Sequence, residues 1–205
     1  MKLYDFQGAP NPRRVKIFAA EKGIDLELVD CDMRKREHKT ESFLKKNPSG
    51  KIPVLELEDG RCIPESVAIC RYLEAVNPEP NLFGRDAFEL GFIEARNRQV
   101  ELEFWREVGT AWVHGPIVAQ LGLIETIPEA RTASVKTVNS YYKRLDREFA
   151  ESQFVAGDRF TIADISLLTG IDFAESLVGV PPDPKLSNLA RWRADMAQRP
   201  SVMAA

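Results

Sequence analysis

The chain has 205 residues, 44% hydrophobic and 29% charged, with a formal net charge of -3; that length suits one large domain or two modest ones, and the balance lacks the basic excess of a dedicated nucleic-acid binder. Two histidines and three cysteines without CxxC spacing (Cys31, Cys62, Cys70) argue against a disulfide framework, a dithiol redox motif and a His-based metal site. No apolar run approaches the length of a membrane span, and the opening "MKLYDF" reads as strand rather than signal peptide, so a cytoplasmic protein in a reducing compartment is expected.

In chain order, "KLYDF" (2–6) reads as a short strand. A helix is expected from Pro12 to Lys22, with Val15, Phe18 and Ala19 on one face and Gly23 as its stop. "LELVD" (26–30) alternates as a half-buried strand does, and a short polar helix around 41–46 turns Phe43 and Leu44 inward. "PVLELEDGRCI" reads as a hairpin closed at Asp59-Gly60, a strong tight-turn signal. From Ser66 the residues Ile69, Cys70, Leu73 and Val76 form a helical stripe. The order is β-α-β, a linking helix, then β-β-α.

"NPEPNLFGRD" (77–86) breaks that pattern with prolines, a glycine and asparagines, as a linker does. No strand pattern follows it. Val135, Val138, Tyr142, Leu145 and Phe149 recur every three or four residues, as do Leu189, Trp192 and Met196, so the second part is expected to be all helical. "FTIADI" (160–165) supplies Thr161 as N-cap and Asp164 at N3, a capping box; capping explains Asp164 better than a catalytic role does. The expected organisation is an α/β domain over 1–77, a linker over 78–85 and a helical domain over 86–205.

This order, with "NPSGKIPVLELEDGRCIPES" (47–66) and "FVAGDRFTIADISL" (154–167), resembles the glutathione transferase superfamily along nearly the whole chain. The resemblance implies a thioredoxin-like N-terminal domain, an all-α C-terminal bundle and a homodimer. It implies glutathione as co-substrate, with no prosthetic group and no metal, and a small hydrophobic electrophile as second substrate. In that fold the bond before Pro53 is cis, which frees the Ile52 N–H and C=O to pair with the cysteinyl unit of the tripeptide. Glu65 and Ser66 open a helix whose free N–H groups suit the γ-glutamyl carboxylate, with Glu65 facing the ammonium; simple capping by Ser66 is the competing explanation. Lys51, with His38 and Lys39, is expected to reach the glycyl carboxylate.

A thiol with an ordinary pKa near ~8.5 needs help to be a thiolate at neutral pH. Many relatives place Tyr, Ser or Cys after the first strand; here Ala9 stands where the Ser-type members carry serine. "APNP" resembles the asparagine arrangement of bacterial Nu-type members and nominates Asn11 as the donor to sulfur, with Pro12 at the first helical position. Helix capping by Asn11 is the equal alternative. Phe6 and Gln7 on one side, and Trp105 and Trp112 on the other, are expected to line the electrophile site between the domains, the tryptophans serving equally as core. Three activities fit this scaffold: conjugation of glutathione to electrophiles, glutathione-dependent disulfide reduction or peroxidase chemistry, and a non-catalytic interaction module.

Overall fold

The computed structural model describes residues 1–122 and 124–205. The chain divides into two compact units, Met1–Phe83 together with Arg199–Ala205, and Gly84–Gln198.

In the first unit β1 (Lys2–Asp5) lies in the interior of a four-stranded sheet of order β2-β1-β3-β4. It pairs parallel with β2 (Glu27–Asp30) and antiparallel with β3 (Val54–Glu56), which pairs antiparallel with β4 (Cys62–Pro64). The period-two alternation of β1 buries Leu3 and Asp5 on one face, where Lys16 of α1 (Pro10–Glu21) pairs with Asp5 at 3.0 Å. Tyr4 takes the other face and meets Phe43 of α2 (Glu41–Lys46) edge-on at 5.7 Å. The hairpin turn forms at Asp59-Gly60, with Gly60 at φ +83. β2 is more exposed than its alternation predicts: it is an edge strand, and Leu28 is 54% exposed. In α3 (Ser66–Val76) the buried stripe ends at Leu73, one turn short of the expected Val76.

The stretch after α3 is tied down rather than loose. The Lys22 ammonium is buried, donates to the carbonyls of Asn77, Pro78 and Pro80 at 2.8, 3.1 and 2.7 Å, and pairs with Glu74. Phe83 packs on Phe18 with ring centroids 5.6 Å apart. The last residues also belong here, and not with the helices that precede them. Arg199 grips Glu21 through two bonds of 2.9 and 2.8 Å, and Ser201 of α10 (Pro200–Met203) donates to the same carboxylate.

The second unit is helical. A helix begins as α4 (Ala87–Gln99), passes through a π-helical stretch at Val100–Trp105 and continues as α5 (Arg106–Val113). Then come α6 (Pro116–Leu121), α7 (Pro128–Glu148), α8 (Ile162–Phe173), which runs into a π-turn at Ala174–Val178, and α9 (Ser187–Ala197). Of the expected stripe residues, Val138, Tyr142, Leu145, Phe149, Leu189, Trp192 and Met196 are buried and Val135 is half-buried. The capping box at Thr161 is formed and fully buried. Burial pushes the Asp164 carboxyl up to about 6, against donors from Val155 N–H, Thr161 and the Trp192 indole that pull the other way. Among the described residues no helix is long and apolar enough to cross a membrane.

Candidate functional site

The strand register gathers three chain segments at one end of the sheet. β1 ends at Asp5, β3 begins with Val54 opposite Tyr4, and β4 ends with Pro64 opposite Val54. The loop 6–9 before α1, the Ile52-Pro53 bond before β3 and Glu65-Ser66 opening α3 therefore emerge side by side, on strands about 5 Å apart. The Ile52-Pro53 bond is cis. Neither the N–H nor the C=O of Ile52 is hydrogen-bonded among the described residues, so this edge is open to an extended peptide.

The loop leading to Ile52 is built on Asn47, which is 4% exposed. Its side chain accepts from the Ser49 N–H and hydroxyl at 3.1 and 2.9 Å and donates to the Lys51 carbonyl at 2.8 Å. Lys39 donates to the carbonyls of Ser49 and Gly50 at 3.3 and 2.9 Å. Gly50 is at φ +57, and a Cβ there would stand 2.7 Å from the Lys39 ammonium and 2.9 Å from the His38 carbonyl. The structure thus brings His38, Lys39, Lys51 and Ile52 to one loop cluster. Lys39 is largely occupied as a brace, whereas the Lys51 side chain is exposed and makes no hydrogen bond or ion pair among the described residues. Burial, and then the charges of Lys39 and Arg36, hold the His38 imidazole below its ordinary value, and its buried Nδ1 has no protein partner among the described residues.

Ser66 is the first helical residue of α3 and not its cap. The N-cap is Glu65, which makes no side-chain cap bond. The first-turn N–H groups therefore keep their donor capacity for an anion. Glu65 has φ 69 and ψ 116, a conformation an L-residue adopts only at a cost of ~1–3 kcal/mol and one that clusters at binding sites. Beneath it, Arg14 of α1 is 3% exposed and donates to Ser66 Oγ at 2.7 Å. That bond ties the second turn of α1 to the first residue of α3, so a guanidinium stands beside the positive end of α3.

Helix α1 starts two residues earlier than its sequence suggests. Pro10 takes the first helical position and Ala9 is the N-cap, without a side-chain bond. Asn11 is therefore not the cap, which removes the capping explanation for it. Pro10 and Pro12 carry no N–H, and the Arg13 N–H bonds to the Ala9 carbonyl at 3.3 Å. Asn11 thus provides the first turn's remaining backbone donor as well as a side-chain amide with no partner among the described residues.

Tyr4 does not belong to this group. Its hydroxyl donates to Glu56 at 2.6 Å, and burial followed by that bond raises its pKa, the opposite of what an activating phenol needs. The cysteines do not belong either. Burial first, then Glu37, Asp30 and Asp32, push the Cys31 thiol up to about 11, and burial raises Cys62; Cys70 is fully buried. Phe6 lies under the Arg34 guanidinium at 5.5 Å, and Gln7 is exposed. Both belong to the first unit. In the second unit Trp105 stacks on Phe173 at 5.9 Å and donates from its indole to the Ser166 carbonyl at 2.7 Å. Trp112 tilts against the same ring at 5.6 Å. Both tryptophans are half-buried, so each serves the core along one edge and presents another. Among the described residues no three His, Cys, Asp or Glu side chains cluster as metal ligands do.

Sequence reasoning missed Arg14 and Asn47. Asn47 had a signal, since Asn-Pro-Ser-Gly is turn chemistry in which the amide binds its own backbone two residues on. Arg14 had none, because a lone arginine in a helix reads as solvated until its partner 52 positions away is known.

Comparison with known proteins agrees with this arrangement. The model described as "Glutathione S-transferase, N-terminal domain" matches residues 1–75, and that described as "Glutathione S-transferase, C-terminal domain" matches residues 111–200. Glutathione S-transferase 2 of Saccharomyces cerevisiae is 35% identical over 209 residues, covering 98% of this chain and 88% of that protein. The crystal structure of a glutathione S-transferase domain-containing protein from Marinobacter aquaeolei VT8 superposes with a TM-score of 0.89 at 38% identity, covering 98% of this chain and all (100%) of that one. The crystal structure of Gtt2 from Saccharomyces cerevisiae gives 0.89 at 34% identity, covering 100% and 99%.

Proposed function

This chain belongs to the glutathione S-transferase family and is a glutathione transferase, and from that premise we propose that it conjugates the thiolate of glutathione to small hydrophobic electrophiles. The observation that carries the proposal is the α3 terminus: Glu65 is held at φ 69, no side chain caps the helix, and Arg14 fixes Ser66 from behind. In this reading the γ-glutamyl carboxylate takes the Ser66 hydroxyl and the first-turn N–H groups, while Glu65 faces the ammonium. The cysteinyl unit pairs with the Ile52 backbone beside Pro53, and the glycyl carboxylate lies near Lys51, with His38 and Lys39 shaping the loop.

The sulfur is assigned to Asn11. Its side-chain amide and its N–H both donate, and the positive end of α1 favours the thiolate over the thiol. The thiol proton goes to solvent on binding; the thiolate then forms the C–S bond either by addition, after which the resulting carbanion takes a proton from solvent, or by aromatic substitution, in which the halide leaves as its anion. Phe6 and Gln7, in the same unit as Asn11, are assigned to the electrophile. The mechanism needs no prosthetic group, and the chain's free thiols suit a reducing cytosol. A second copy of the chain is assigned to the exposed face of α4, where Phe88 and Phe92 stack at 5.7 Å while exposed. The test is a paired assay with an aryl halide and a small disulfide in the presence of glutathione. Conjugation of the halide is expected; turnover of the disulfide alone would overturn the proposal.

A further inference from the structure

We propose that Arg14 is a positioning residue that makes the head of α3 selective for a free α-carboxylate on the γ-glutamyl end of the substrate; this rests on the reading that the groove holds glutathione. Arg14 is buried on the second turn of α1, and its guanidinium donates to Ser66 Oγ at 2.7 Å. A serine hydroxyl has one proton and two acceptor lone pairs. With a guanidinium N–H occupying one lone pair, the hydroxyl proton turns away from Arg14 and is left to donate elsewhere. Ser66 opens a helix that has no side-chain cap, so that proton joins the first-turn N–H groups where an anion is favoured.

The guanidinium also places a full positive charge behind the hydroxyl, out of the path of an entering ligand. A guanidinium holds its charge on burial more firmly than a lysine ammonium does. Arg14 therefore acts on substrate through Ser66, and its effect is confined to one carboxylate. A residue that only held α1 against α3 would affect all ligands alike.

The experiment is calorimetric titration of the wild type, Arg14→Met and Arg14→Lys with three probes: glutathione, the analogue with 4-aminobutyrate in place of the γ-glutamyl group, and the glycyl ethyl ester of glutathione. The first analogue lacks the α-carboxylate, and the ester alters the opposite end. Charge-assisted hydrogen bonds of this kind give the wild type a preference for glutathione over the decarboxylated analogue on the order of tenfold to a hundredfold. Arg14→Met is expected to shrink that preference to about threefold or less, while leaving the preference against the ester unchanged. Arg14→Lys is expected to fall between the two.

Retention of the full preference in Arg14→Met, or an equal loss of affinity for all three probes, overturns the assignment while leaving the groove intact. If Arg14→Met does not fold, Arg14→Lys decides: a narrowed preference supports the proposal and an unchanged one overturns it. Failure of the wild type to bind glutathione at all would instead overturn the reading of the groove, and the proposal with it.

Discussion

Replacing Glu65 by glycine sets stability against affinity. Glu65 sits at φ 69 and ψ 116, where an L-residue carries ~1–3 kcal/mol of backbone strain. Glycine removes that strain but adds about 0.5–1 kcal/mol of unfolded-state entropy. Glu65→Gly is therefore expected to be more stable than the wild type by roughly 0.5–2 kcal/mol, read as a higher urea midpoint at unchanged slope. The same change removes the carboxylate assigned to the substrate ammonium. Glu65 is exposed, so the lost pairing is worth at most about 1 kcal/mol, a roughly fivefold rise in Kd for glutathione. Glu65→Gln separates the two effects, since it keeps the Cβ and the strain while losing the charge. It should match the wild type in urea and match Glu65→Gly in calorimetry. A Glu65→Gly protein less stable than the wild type, or one as tight for glutathione, would refute the reasoning.

Asn11→Ala removes one of the two donors assigned to the sulfur and is expected to raise the thiol pKa of bound glutathione by about one unit, followed by the ultraviolet absorbance of the thiolate against pH; an unchanged titration would return the sulfur to other groups. Burial raises the Glu21 carboxyl, but the Arg199 and Ser201 bonds outweigh it and leave Glu21 below its ordinary 4.5. A depressed carboxylate stabilises the fold above its unfolded value and loses that contribution as pH falls through its folded value, so the wild type should exceed Glu21→Gln in stability near neutrality and the gap should close in acid. Hydrogen exchange over residues 199–205 should rise over the same range. Gly170→Ala would place a Cβ 2.7 Å from the Trp105 indole nitrogen and 2.9 Å from the Phe104 ring; about 1–3 kcal/mol of destabilisation is expected from overpacking, with a change in tryptophan fluorescence.

What the sequence disclosed was local, and what it withheld was distant. The Asp59-Gly60 hairpin and the Thr161 capping box rest on chemistry a few residues wide and form as read, and the helical stripes do so except at Val76, which is exposed, and Val135, which is half-buried. The start of α1 was missed by two residues because Pro10 and Pro12 both suit a first helical position, and no local rule chooses between them. That slip matters, since it decides whether Asn11 caps a helix or projects from its first turn. The exposure of Leu28 followed from β2 being an edge strand, which alternation alone does not encode. The return of residues 199–205 depends on Glu21, 178 positions from Arg199. Of the candidate site, Pro53, Ile52, Glu65 and Ser66 are nominated by the compound stretch 47–66. Arg14 was not, because its burial is a property of α1 against α3.

The account stands on the sheet end where Ile52, Glu65 and Ser66 emerge together, and a crystal structure grown with saturating glutathione tests it most directly. The prediction is the cysteinyl N–H and C=O paired with the Ile52 backbone and the γ-glutamyl carboxylate on Ser66. Tripeptide density elsewhere on the chain, with this sheet end unoccupied, would contradict it.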